Sequence, residues 1–246
     1  MTVLALTEEC DLTADRVITE LARRSVPVFR CDLGWFPTEL SVDFGLDGDR
    51  WSGALRTSRR DVDLAEVRSV WYRRPTAFRF PEGMSGPERQ HAGWEAKLEA
   101  GGPKVAYTRA LSATDLSDLS GTELTTLLVQ ERVDKAFEVR LTAVGDRLFG
   151  AAIDADSDAA RADWRADMSA LSYRAIDVPE PVAAGVRAYM ATFGLHYGAF
   201  DFVVTPGAAE FVFMECNPGG QYGWIEGNTG LPITAALADL LARGQP

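Results

Sequence analysis

Two apolar stretches toward the C-terminal end, YGAFDFVV (197–204) and EFVFMECNPGG (210–220), constrain the chain most. Each reads as a strand, and each carries a carboxylate that an apolar strand alone does not call for. Thr205-Pro206-Gly207 supplies the turn between them, so they are read as neighbours. Asp201 lies between Phe200 and Phe202, where an unpaired buried carboxylate would cost several kcal/mol. Strand alternation puts Glu215 and Asn217 on one face and turns Cys216 to the other. An Asp on one strand and Glu-x-Asn on its neighbour therefore converge on one point. Three hard oxygen donors without His or Cys suit Mg²⁺, which keeps several waters and bridges to substrate phosphates. Ion pairs with arginines such as Arg140 would neutralise the acids equally well, and for either acid alone that is the simpler reading. The three together, followed by Pro218-Gly219-Gly220, favour the metal.

Ahead of this pair the chain opens as β-α-β. Residues 2–7 form a short apolar run, Asp11 or Thr13 caps a helix with Val17, Ile18, Leu21 and Ala22 on one face, and 26–31 is a second strand. The alternation of Val42, Phe44 and Leu46, then Trp51, Gly53 and Leu55, around Asp47-Gly48-Asp49 predicts a hairpin. Residues 61–68 are polar and helix-compatible, and 69–74 (SVWYRR) read as a strand that Pro75 ends. Pro87 opens a helix over 87–99, Gly101-Gly102-Pro103 breaks the chain, and we place a domain boundary there, giving domains 1–100 and 101–246. Residues 105–110 are strand-like, and 124–133 form an apolar run containing Gln130-Glu131. A second hairpin spans 137–153 around Gly145-Asp146-Arg147, 154–170 is loop or short helix, 179–193 carries a helical apolar stripe with Gly194 as its stop, and Pro232 starts a last helix. The fold class is α/β: an N-terminal β-α-β domain followed by a mixed or antiparallel sheet domain with packed helices.

Composition narrows the function classes. In 246 residues, 46% are hydrophobic and the net charge is −11, which excludes a disordered tail and argues against wrapping a nucleic-acid backbone. No signal-peptide pattern opens the sequence and no apolar run approaches the length of a membrane span, so a cytoplasmic protein without a membrane partner is expected. Cys10, Cys31 and Cys216 form no CxxC pair and read as reduced, packed thiols. His91 and His196 form no nucleophilic arrangement. Arg68, Arg73, Arg74 and Arg79 fall within twelve residues that contain no acid.

The combination Gln130-Glu131-x-Val133, Lys135-x-x-Glu138-x-Arg140, the hairpin LTAVGDRLFGAAI, GAFDFVV and FMECNPGGQYGWIE resembles the ATP-grasp superfamily. Within it, WYRRP (71–75), DWR (163–165) and the opening β-α-β resemble the ATP-grasp ribosomal peptide maturases, the graspetide or microviridin-type macrocyclases. The likeness implies that Glu131 and the backbone around Val133 read the adenine edge of ATP, with Gln130 beside them. It implies that Asp201, Glu215 and Asn217 hold Mg²⁺ against the ATP phosphates, and that Arg140 holds the γ-phosphate or an acyl-phosphate, an ordinary cross-strand ion pair being the alternative. Lys135 and Glu138 belong to the same motif, although a surface pair would look the same. Arg73 and Arg74 would attract an anion; since neighbouring strand residues point to opposite faces, only one of them should reach the site. The implied chemistry is activation of a side-chain carboxylate of a precursor peptide as an acyl-phosphate, then attack by a Thr or Ser hydroxyl or a Lys amine of the same peptide. The partner implied is a peptide with a leader and an acidic, Thr-rich core, and a homodimer is consistent with the larger relatives.

One departure matters. The family inserts a central subdomain, with a lysine for the α- and β-phosphates, between the first domain and the strand corresponding to VAYTRAL, and here residues 95–104 run through without it. Only Lys97, Lys104 and Lys135 exist, and Lys104 is the nearest substitute. Either the sequence omits a segment that the gene encodes, which we favour, or the protein is a shortened relative that binds nucleotide weakly. A RimK or glutathione-synthetase type of carboxylate–amine ligase and a non-catalytic peptide-binding module are the alternatives.

Overall fold

The computed structural model describes residues 1–47, 50–77, 79, 83, 112, 117, 131–162, 164–207 and 210–244. The chain divides into two compact units, residues 1–102 with 232–246, and residues 103–231. The helix expected over 87–99, the strand over 105–110 and the run over 124–130 lie outside the described residues, as do Lys104 and Gln130.

The first unit is built on a parallel sheet of order β2-β1-β6, in which β1 (Thr2–Leu6) lies between β2 (Val28–Cys31) and β6 (Val67–Tyr72). Val3, Leu4 and Ala5 are buried in succession because the central strand of a parallel sheet is covered on both faces. Helix α1 (Leu12–Arg23) makes the crossover; Asp11 caps it by accepting from the backbone N–H groups of Thr13 and Ala14, and its buried stripe is Ala14, Val17 and Leu21. The hairpin β3 (Leu40–Asp47) and β4 (Arg50–Thr57) forms as expected, and β5 (Asp61–Asp63) adds to it. That strand replaces the helix-compatible reading of 61–68. Val62 is buried between exposed neighbours and pairs with Leu55, while Asp63 caps only a single 3₁₀ turn. Leu4, Phe29, Cys31, Leu40, Leu55 and Val62 form one core cluster of this unit.

The second unit is an antiparallel sheet of order β11-β10-β7-β8-β9: β7 (Phe137–Val144), β8 (Arg147–Ala155), β9 (Leu171–Ile176), β10 (Tyr197–Val204) and β11 (Phe211–Asn217). Between β8 and β9 lie a short helix α2 (Asp158–Ala162) and two 3₁₀ turns. One face of the sheet, with Val139, Leu141, Ala143, Phe200, Phe202 and Val204, packs against Val186 and Met190 of α3 (Glu180–Thr192). Each buried phenylalanine contributes about 1.5–3 kcal/mol by leaving water. Gly194 follows α3 at φ 61°, the left-handed conformation that lets Leu195 N–H return to the Met190 carbonyl at 2.9 Å. Helix α4 (Gly223–Thr229) follows the Gly219-Gly220 turn.

The last helix, α5 (Ile233–Arg243), groups with the first unit, whereas the sequence reading puts 232–246 with the C-terminal segment. It packs on α1 and β6: Arg24 pairs with Asp239, the Ser69 hydroxyl donates to the Leu241 carbonyl at 2.9 Å, and the Arg68 guanidinium donates to Ala242. Of the three cysteines only Cys31 is buried, Cys216 is half-buried and Cys10 is exposed, which corrects the reading of all three as packed. Among the described residues no helix is long and apolar enough to cross a membrane.

Candidate functional site

On the sheet face opposite α3, register brings the expected side chains together. Arg140 on β7 stands opposite Asp201 on β10, which stands opposite Glu215 on β11, so the three form a row across three strands. The next row is Thr142, Ala199 and Asn217. Arg140 Nη1 donates to both Asp201 carboxylate oxygens, at 2.8 and 2.6 Å, and the Asn217 amide donates to Glu215 Oε1 at 3.0 Å. Cys216 faces the opposite side and packs against the apolar core. Arg140 also donates from Nη2 to the Gln221 carbonyl at 3.2 Å, which ties the site to the turn after β11.

The electrostatics are unbalanced. Burial pushes the Asp201 carboxyl above its ordinary value; Arg140 pulls it back, and the charge and hydrogen bond of Glu215 raise it again. One arginine thus faces two carboxylates, and Glu215 is exposed. Arg140 Nε and Thr142 Oγ1, on the same face, are buried without a hydrogen-bond partner. A divalent cation answers the excess of carboxylate, and an acceptor-rich anion answers the unpaired donors. Among the described residues no three His, Cys, Asp or Glu side chains gather at one point. A cation here would take two carboxylates and an amide, the sparse oxygen set of a Mg²⁺ that keeps waters and shares phosphate oxygens. The residues fit Mg²⁺ and a nucleotide phosphate.

A family model described as the MvdD pre-ATP grasp domain matches residues 2–102. The crystal structure of the macrocyclase MdnC bound with precursor peptide MdnA, from Microcystis aeruginosa MRC, superposes with a TM-score of 0.85 at 25% identity, covering 99% of this chain and 100% of that one. The first unit thus matches a pre-ATP-grasp domain and the whole chain has the fold of an ATP-grasp macrocyclase, which together support a protein of graspetide-maturase type. The fold is shared by a Chryseobacterium gregarium RiPP-associated ATP-grasp ligase in complex with ADP and a leader and core peptide, at TM-score 0.87, 19% identity and coverage of 100% and 97%. It is shared also by the macrocyclase MdnB of Microcystis aeruginosa MRC, at TM-score 0.75, 22% identity and coverage of 99% of both chains. No curated protein matches the sequence.

Elsewhere in this ATP-grasp chain, Glu131 is exposed and Val133 half-buried, just ahead of β7. Lys135 pairs with Glu138, both side chains about one-fifth exposed. Arg73 and Arg74 follow β6 in the first unit, beyond the end of the strand at Tyr72. Arg73 is buried, its Nε donating to Asp11 at 2.6 Å and its guanidinium 5.7 Å from the Trp71 ring centroid. Arg74 is exposed and adopts φ 43°. Lys104 and Gln130 lie outside the described residues.

Several contributors were not singled out from sequence: Thr142 and Ala199 in the second row, the Gln221 carbonyl, and Tyr197, whose hydroxyl donates to the Gly220 carbonyl at 2.6 Å. Tyr197 and Ala199 were legible in principle, since alternation puts them on the face of Asp201. Trp164 of the DWR motif stacks on Trp224 of α4, centroids 5.1 Å apart, with Tyr173 of β9 edge-on to the same ring.

Proposed function

We propose that this chain is an ATP- and Mg²⁺-dependent ligase that joins Asp or Glu side chains of a ribosomally made precursor peptide to Thr, Ser or Lys side chains of the same peptide, closing ω-ester or ω-amide rings. The observation that carries the proposal is the row Arg140, Asp201, Glu215 with Asn217 beside it, on a chain of graspetide-maturase type. Bound MgATP supplies a phosphoryl group that makes a carboxylate an acylating agent. Asp201, Glu215 and Asn217 hold the cation, and Arg140, anchored by Asp201 and the Gln221 carbonyl, presents the unpaired Nε–H to an anion. Because Arg140 is fixed before anything binds, little reorganisation is left for the reacting state. Glu131 and the backbone at Val133 take the adenine, with Gln130 beside them. Lys135 and Lys104 serve the phosphates, and Arg74, the exposed arginine of its pair, takes a carboxylate of the peptide core. No side-chain nucleophile is required of the chain, since the attacking group belongs to the peptide.

The test uses the full-length gene product, MgATP and a leader-bearing peptide whose core contains Thr and Glu. The expected result is loss of one water per ring by mass spectrometry with matching ADP release, and none of either with Asp201→Asn or Glu215→Gln. Ring formation at the native rate by both variants would overturn the assignment. ADP release without dehydration of the peptide would overturn the substrate class.

A further inference from the structure

The turn that follows β11 is held from three directions, and each hold touches a residue of the site. Gly220 N–H donates to the Asn217 carbonyl at 3.0 Å, Arg140 Nη2 donates to the Gln221 carbonyl at 3.2 Å, and the Tyr197 hydroxyl donates to the Gly220 carbonyl at 2.6 Å. The fit is close: a Cβ on Gly220 would lie 2.5 Å from Ala199 Cβ, 3.0 Å from Arg140 Nη2 and 3.1 Å from Asn217 Cβ. Ala199 is the small residue of the second row, which lets the turn settle onto the sheet face directly beside Arg140. Beyond the turn, Tyr222 is wholly buried, its ring 6.2 Å from that of Tyr197, and its carbonyl receives the first return hydrogen bond of α4 from Glu226.

We propose that residues 217–221 form a positioning bracket that sets Asn217 and Arg140 at one spacing, and that the Tyr197 hydroxyl is its latch. The proposal rests on the nucleotide–metal reading of the site and adds a residue to it. Without the latch, the Gly220 carbonyl loses its side-chain donor, the turn is free to lift from Ala199, and the anchor that Gln221 offers Arg140 moves with it. Tyr197 is a positioning residue, since it acts through the turn. Two substitutions reach the bracket from opposite sides: Tyr197→Phe removes the donor and keeps the ring, while Gly220→Ala forces the turn off the sheet by filling space that is already occupied.

The experiment is calorimetric titration of the full chain with Mn²⁺ and ADP, well below the melting temperature of each variant. Removal of one hydrogen bond corresponds to an affinity loss of about three- to tenfold for Tyr197→Phe, and Gly220→Ala is expected to lose at least as much. A purely structural tyrosine would lower the melting temperature and leave affinity at the lower temperature unchanged. Asp201→Asn is the control for the underlying reading and is expected to remove metal-dependent binding. Loss with Asp201→Asn but wild-type affinity in both bracket variants would overturn the bracket alone. Wild-type affinity in Asp201→Asn, or no binding by the wild type, would overturn the metal reading and the bracket with it. Should Tyr197→Phe fail to fold, wild-type affinity in Gly220→Ala still refutes the proposal.

Discussion

Asp11→Ala should be among the most damaging single substitutions in the first unit. The carboxylate is 6% exposed and accepts four hydrogen bonds, from Thr13 N at 2.9 Å, Ala14 N at 3.0 Å, Thr7 Oγ1 at 3.2 Å and Arg73 Nε at 2.6 Å. Two of these cap α1, and losing an N-cap costs about 1 kcal/mol. The larger cost is Arg73, also 6% exposed, whose charge would remain buried without its carboxylate; breaking such a pair from one side costs about 3–5 kcal/mol. The sum of about 4–6 kcal/mol is a large part of the roughly 5–15 kcal/mol that holds a domain together. Urea unfolding at neutral pH, followed by far-ultraviolet circular dichroism, measures it. The double variant Asp11→Ala/Arg73→Met removes the buried charge as well, so it should be more stable than Asp11→Ala alone and fall short of additivity by about 1–3 kcal/mol. A loss near 1 kcal/mol for Asp11→Ala, or simple additivity in the double variant, would show that the pair contributes no more than the cap.

The same carboxylate gives the first unit an acid limit. Burial works against the Asp11 charge, but the hydrogen bond and charge of Arg73 and the N–H groups of Ala14 and Thr13 prevail and hold its carboxyl below the ordinary range. A lowered folded-state value means that the stabilisation is complete above the unfolded value of about 3.9 and disappears as pH falls through the folded one. The wild type should therefore lose stability below about pH 4 more steeply than Asp11→Asn, read from urea midpoints across that range; equal slopes would contradict the assignment. Among the thiols, Cys10 should alkylate first, because it is exposed, whereas burial pushes Cys31 up to about 11 and should leave it unmodified in the folded chain. Peptide mapping after iodoacetamide treatment distinguishes them, and early labelling of Cys31 would contradict its place in the core.

What the sequence disclosed follows from how local each signal is. Asp201, Glu215 and Asn217 were legible because strand alternation is a property of consecutive residues, and Thr205-Pro206-Gly207 made the two strands neighbours. That Arg140 lies opposite Asp201 depends on the register between β7 and β10, which no local pattern fixes. Strand β9 was passed over because Ser172, Arg174 and Ala175 are exposed, leaving a weak apolar alternation, and the strand forms by pairing with β8. Helix α4 contains Gly227 and Asn228, poor helix formers, and owes its place to the contacts of Trp224 with Trp164 and Tyr173. The return of α5 to the first unit is a tertiary choice: its apolar stripe was legible, but not the surface it covers.

Each unit holds a buried or half-buried Asp–Arg pair, and the two residue types alone do not tell a fastener from a site. Satisfaction separates them. Asp11 is fully engaged, its carboxyl held below the ordinary range. Asp201 is pushed above that range by burial, Arg140 counters only in part, and Glu215 pushes the same way as burial, while Arg140 Nε finds no partner. Ionised Asp201 is therefore a net burden on the fold at neutral pH, since a raised folded-state value marks stability that is lost as pH rises through it. An amide at 201 still accepts from Arg140 and removes the repulsion from Glu215. Asp201→Asn should thus hold or raise the urea midpoint of the second unit, whereas Asp11→Asn lowers that of the first. The opposite order would mean that the Arg140–Asp201 pair is the fastener, and that the strain we read as readiness for a cation and an anion is absent.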